Sequence, residues 1–184
     1  MAEAATLHPA IPGSTSDLAV QLLHRADAAG LKLAAAESCT GGLLASLLTD
    51  VEGFGHCFDR GFVCYSEDSK CEQLGVSPRL IAEHDAVSKS VAIAMAEGAL
   101  QRSGADIAVA VTGFAGRGGE GDEPGLVHFA CARRSGATWH LEEHFGDIGR
   151  GEVRLKTIDR ALKLMLDVVG QPGGSARLAG KLLR

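Results

Sequence analysis

The run Ile107-Ala-Val-Ala-Val-Thr112, set between Gly104 and Gly113, constrains the fold more than any other segment. It is the clearest buried strand in the chain. Around it the sequence alternates short β-prone runs with helical ones. Ser14–Ala29 carries capping residues (Ser14, Ser16, Asp17), apolar spacing at Leu18, Leu22, Leu23 and Ala26, and Gly30 as a stop, which predicts a helix. Leu31–Glu37 reads as a buried strand running into a Ser-Cys-Thr-Gly-Gly turn, and Leu43–Asp50 as the helix after it. Phe62–Tyr65 is β-prone. Ser66 then caps a helix that stops at Gly75, and Ser77-Pro78 restarts one with proline at its first position. Ser88–Arg102 is an alanine-rich helix ended by Gly104. Leu126–Arg133 and Thr138–Phe145 read as a hairpin turning at Ser135-Gly136. Glu152–Val169 is a long amphipathic helix with Val153, Ile158, Leu162, Leu164 and Met165 toward a core. Strands alternating with helices and then a hairpin predict an α/β domain, a mixed sheet covered by helices.

The 184 residues fit one domain, large enough to build a core without metals or disulfides. We divide them into an N-terminal extension (1–15), the domain (16–169) and a tail (170–184). The tail's basic and apolar end suggests a resting place on the body or on a neighbouring subunit, hence a homo-oligomer. Aromatic residues are only 4%, while glycine and alanine abound, which favours close helix–sheet packing. No stretch reaches the roughly 20 apolar residues of a membrane span, and the first residues lack a secretion signal's basic and apolar regions. The net charge of −5 argues against a broad nucleic-acid surface. Five cysteines without a CxxC pair read as reduced thiols, in keeping with a cytoplasmic protein.

Four segments are candidates for chemistry. In Glu37-Ser38-Cys39-Thr40-Gly41-Gly42, between a strand and a helix, free backbone amides form an anion or oxyanion site. Ser38 and Cys39 are both nucleophile candidates, with a slight lean to Cys39 because helix N-termini lower thiol pKa. The plainer reading is a capped turn with a buried cysteine. In Tyr65-Ser66-Glu67-Asp68-Ser69-Lys70, a lysine one turn into a helix and partly desolvated is pushed toward the neutral amine that a general base needs, with a tyrosine hydroxyl beside it as a proton relay. The plainer reading is a solvated lysine. Gly116–Gly121 matches GxGxxG, but this loop leads into a strand instead of opening a helix, so the string does not make a dinucleotide-binding dehydrogenase. Gly146-Asp147-Ile148-Gly149-Arg150, heading the last helix, suits a phosphate, or else is a solvated basic face. His140 and His144 on one strand lie about 13 Å apart, too far to share an ion, and the other histidines look scattered, so no metal is expected.

Taken together, these pieces resemble the C-terminal domain of the competence/damage-inducible CinA proteins, the nicotinamide-nucleotide amidohydrolase family. The resemblance is carried in order by Ala36–Gly42, Arg60–Ser66 with Lys70, Ala86-Val87-Ser88, Thr112–Gly116 and Gly146-Asp147 to Arg150, and spans about Ser16 to Val169. It implies a three-layer α/β/α sandwich and an amidase that converts nicotinamide mononucleotide to nicotinate mononucleotide and ammonia with no metal or other cofactor. It implies that Ser38 is the nucleophile, that neutral Lys70 takes its proton directly or through Tyr65, and that Cys39 points into the core. Backbone donors near Thr40–Gly42 or Thr112–Gly113 would hold the oxyanion. Glu37, Thr40, Gly41, Gly42, Thr112, Gly113, Ala115, Gly116 and Arg150 are then the substrate-binding set. Two departures fall on the loop after the central strand. Arg117 stands where the family has proline after Gly-x-Ala-Gly, and the later Lys-Pro-Val-Gly is reduced to Glu123-Pro124-Gly125. They motivate an alternative expectation, a nucleotide-binding regulatory module with little or no activity.

Overall fold

The computed structural model describes residues 11–134 and 136–171. Most of the expected extension and tail, and Ser135 of the hairpin turn, lie outside the described residues. The elements are α1 (Gly13–Ala28), β1 (Leu33–Glu37), α2 (Leu43–Thr49), β2 (Phe58–Val63), α3 (Glu67–Leu74), α4 (Pro78–His84), α5 (Lys89–Gln101), β3 (Ile107–Gly113), β4 (Leu126–Arg133), β5 (Thr138–His144) and α6 (Arg150–Val169). The strands form one sheet in the order β2-β1-β3-β4-β5. β1 runs parallel to both β2 and β3, while β4 and β5 are antiparallel additions at one side.

Strand alternation divides the core in two. Ile107, Val109 and Val111 of β3, with Val127, Phe129 and Cys131 of β4, pack beneath α1, α2 and α6. On the opposite face Ala34, Ala36, Ala108, Ala110, Ala130 and Ala132 meet α3, α4 and α5. Bulky residues on one face and alanines on the other explain the Ile-Ala-Val-Ala-Val pattern and let α5 approach the sheet closely. Gly98 extends this closeness to α3, where an added Cβ would run into the Leu74 carbonyl oxygen. The result is the α/β/α sandwich.

Local signals act where expected. The Ser66 hydroxyl accepts from the Ser69 amide at 3.1 Å, Gly75 ends α3 at φ 72°, Pro78 opens α4, and Ser88 caps α5. Two expectations need correction. β2 starts at Phe58 and ends at Val63, leaving Tyr65 outside it. This is an edge strand whose polar and glycine positions (Asp59, Arg60, Gly61) are defined by pairing with β1, not by apolar periodicity. α6 starts at Arg150, two residues before the expected start.

Chain order and sheet order together mark the functional end of the sheet. The chain leaves β1 toward β2 on one side and returns to β3 on the other. The carboxyl ends of β1 and β3 therefore flank a topological switch point, where open α/β sheets hold ligands.

Candidate active site

Ser38 and Thr112 stand at that switch point. The Ser38 amide continues the ladder, donating to the Val111 carbonyl at 3.0 Å. Alternation along β1 sends the preceding Glu37 toward α2, while Ser38 meets α3 on the other face. There the side chain of Lys70 reaches back toward the start of α3, the direction in which helical side chains lean. Its Nζ lies 3.1 Å from Ser38 Oγ, 3.1 Å from the Cys64 carbonyl oxygen and 3.2 Å from the Tyr65 carbonyl oxygen. Lys70 is 1% exposed and Ser38 7%. Desolvation is the main cause holding the Lys70 ammonium below its usual lysine range. Nζ is the donor to all three oxygens; loss of the proton that faces Ser38 Oγ would turn this contact into one in which the amine lone pair accepts from the Ser38 hydroxyl.

Glu37 is fully buried, and its carboxylate accepts from the amides of Gly42 (3.1 Å), Leu44 (3.0 Å) and Ala45 (2.8 Å). These are amides of α2's first turn and its cap, which the helix itself leaves unpaired. Glu37 thus fastens the turn and does not line the cleft. The Gly41 amide is also used, donating to the Ser38 carbonyl at 3.2 Å. With the Gly41 and Gly42 amides committed internally, these two glycines are not free donors. What they supply is left-handed backbone, φ 62° and 94°, which folds the turn. Thr40 is buried, and its carbonyl accepts from Arg154 of α6 at 2.7 Å.

Cys39 takes the opposite face from Ser38, joining the core beneath α1, α2 and α6. Burial pushes its thiol up to about 12, so it is protonated at neutral pH. The lowered thiol pKa that motivated the lean toward Cys39 is thereby corrected. α2 begins only at Leu43, and desolvation outweighs any helix-terminus effect.

A cleft of about 310 Å³ opens above the Ser38–Lys70 pair. Of the expected residues it is lined by Ser38, Tyr65, Lys70, Thr112, Gly113, Ala115, Gly116 and Arg150, but not by Glu37, Thr40, Gly41 or Gly42. Cys39 also reaches its wall, as do Ala86 and Val87, Phe114, Arg117 and Gly118. Thr112 donates its hydroxyl to the Ala86 carbonyl at 2.8 Å and so anchors the segment that carries Ala86 and Val87. Tyr65 is 69% exposed at the rim. Gly116 lies under Arg150: an added Cβ would stand 2.8 Å from Arg150 Cγ. Arg117, on the same loop, pairs with Asp147 at 2.9 Å and ties the loop to the segment before α6. The loop leads directly into β4, as the GxGxxG argument anticipated.

Among the described residues two groups of three metal-donor side chains come together, Asp27/His56/Cys57 and His128/His140/Glu142, and neither lines the cleft. The second corrects the view of the histidines as scattered, which considered spacing along one strand and missed the partner across the hairpin. All five cysteines are free. No helix among the described residues is long and apolar enough to cross a membrane.

A buried lysine beside a serine at the switch point of an α/β/α sandwich defines the kind of site, and comparison with known proteins defines the family. The model of the CinA C-terminal domain matches residues 15–169, and the chain belongs to that family. It is 48% identical over 139 residues to a CinA-like protein of Akkermansia muciniphila, covering 74% of this chain and 33% of that protein. The curated relatives are longer: the chain spans between 25% and 35% of the first three it matches. Among solved structures, the competence/damage inducible protein CihA from Agrobacterium tumefaciens superposes with a TM-score of 0.84 at 44% identity, covering 89% of this chain and 100% of that one. The competence damage-inducible protein A from Klebsiella pneumoniae gives 0.81 at 35% identity, covering 86% and 99%.

Proposed function

We propose that this chain is a nicotinamide-nucleotide amidase that hydrolyses the carboxamide of nicotinamide mononucleotide through a serine acyl-enzyme. The observation that carries the reading is the 3.1 Å contact between Lys70 Nζ and Ser38 Oγ in a buried site. Lys70, neutral, takes the Ser38 proton directly as Oγ attacks the carboxamide carbon. The proton then passes to the leaving nitrogen, ammonia departs, and water attacks the ester to release nicotinate mononucleotide. With the Gly41 and Gly42 amides engaged elsewhere, the oxyanion is held in this reading by the amides of the loop at Ala115 and Gly116, which line the cleft. Arg150 at the head of α6 takes the substrate phosphate, where a cation and a helix N-terminus act together. Tyr65 covers the ring at the rim. Its exposed hydroxyl is not needed to connect Ser38 with Lys70.

The test is to incubate the purified chain with nicotinamide mononucleotide and follow nicotinate mononucleotide and ammonia together. Equimolar formation of both supports the amidase. Saturable binding of the nucleotide without either product would replace it by the regulatory binding module, a role for which the Arg117–Asp147 strap beside the cleft is the structural motive.

A further inference from the structure

We infer that His128, His140 and Glu142 form a binding site for a first-row divalent transition ion, zinc foremost, clamping the β4–β5 hairpin independently of the serine chemistry. In the antiparallel register His128 lies opposite Glu142, and His140 lies opposite Ala130. All three side chains therefore emerge on the sheet face that carries Ala130 and α5. His128 Nδ1 is 3.2 Å from His140 Nε2 and 3.5 Å from Glu142 Oε2. Ligand atoms about 2.0–2.2 Å from one tetrahedral zinc stand roughly 3.3–3.6 Å from one another. The two separations thus fall close to the edges of such a tetrahedron, and the three donor atoms lie within 4.8 Å of one another.

Two imidazoles and one carboxylate form a donor set of borderline softness, suited to zinc, cobalt or nickel and poorly suited to magnesium or calcium. His128 is 8% exposed. The Glu142 side chain is half exposed, so a water has access to the fourth position. The remaining charges around the group are Lys89 at the head of α5, which acts on His140, and the pair His144–Glu123, joined at 2.7 Å. His144 Nε2 also stands 3.8 Å from the other Glu142 oxygen. Thr112 of β3 is the register partner of His128, so the clamp stands one strand away from the wall of the cleft. The competing account is a direct His128–His140 hydrogen bond with no ion.

The test uses the full chain stripped with chelator and titrated with zinc by calorimetry, then with cobalt by visible absorption. One equivalent of zinc, binding at least tenfold more weakly in His140→Ala and also weakened in Glu142→Gln, but unchanged in His56→Ala, supports the site. Tetrahedral cobalt bands without thiolate charge transfer support it further. Absence of saturable one-equivalent binding, full binding by His140→Ala, or loss of binding in His56→Ala, which would place the ion at Asp27/His56/Cys57, overturns it. Circular dichroism of each variant confirms that the fold is retained.

Discussion

Lys70 Nζ sits 3.1 Å from Ser38 Oγ across 32 residues of chain, in a position where neither residue meets much solvent. The pairing joins the end of β1 to the first turn of α3, and the burial that accompanies it holds Lys70 below its usual lysine range. On the proposed mechanism, Lys70→Met lowers kcat/KM by about 10²–10⁴-fold, the range typical of losing a positioned general base. Steady-state kinetics on the nicotinamide nucleotide, with the variant's melting curve as a control, measures it.

The lowered pKa of Lys70 also sets a pH dependence. On the proposed mechanism activity requires the neutral amine, so the rate should rise with pH through the folded-state pKa, below the ordinary lysine value of about 10.4. Stability follows the same sign. The unfolded chain holds the proton up to about 10.4 and the folded chain releases it earlier. The favourable contribution is therefore full above that value and is lost as pH falls through the folded pKa. The melting temperature of the wild-type chain relative to Lys70→Met should fall as pH is lowered through that interval. A gap that does not change with pH would contradict the buried, neutral assignment.

Glu37 acts on the turn through three backbone amides. Glu37→Ala leaves these donors at the head of α2 unpaired and is expected to cost about 2–4 kcal/mol, since hydrogen bonds to a charged group are the stronger kind. Chemical denaturation measures the loss. An unchanged midpoint would show that α2 does not depend on this carboxylate.

Gly98→Ala sets two effects against each other. Helix propensity favours alanine by about 1 kcal/mol. Against it, the new Cβ meets the Leu74 carbonyl oxygen and stands 3.1 Å from Leu74 Cβ, and overpacking of this kind costs about 1–3 kcal/mol. The obstacle is backbone that cannot rotate away, so packing wins and the melting temperature falls. A rise would mean that α3 and α5 can separate without loss.

These particulars show which parts of the molecule are legible in sequence. Caps and stops such as Ser66, Gly75, Pro78 and Ser88 act through their nearest neighbours, so short-range chemistry places them correctly. The division of β3 into bulky and alanine faces is likewise written in its alternation. β2 was harder, because an edge strand with glycine and charge at its centre is specified by its partner. The site divides in the same way. Ser38 and Lys70 emerge from the order of motifs, but the meeting of their side chains depends on which face of β1 turns toward α3. Glu37 enters the expected substrate-binding set through the family motif that it shares with Ser38; strand alternation sends it beneath the turn instead. The His128–His140 contact needs the register of the hairpin, which histidine spacing along one strand does not contain.

The most direct test of the central claim compares Ser38→Ala with Cys39→Ala for ammonia release from nicotinamide mononucleotide. The two residues are adjacent in sequence but turned to opposite faces, one against Lys70 and the other into the core. The account predicts that turnover disappears in Ser38→Ala and survives in Cys39→Ala, with some loss of stability in the latter from its core position. Turnover that survives in Ser38→Ala but vanishes in a folded Cys39→Ala would contradict it.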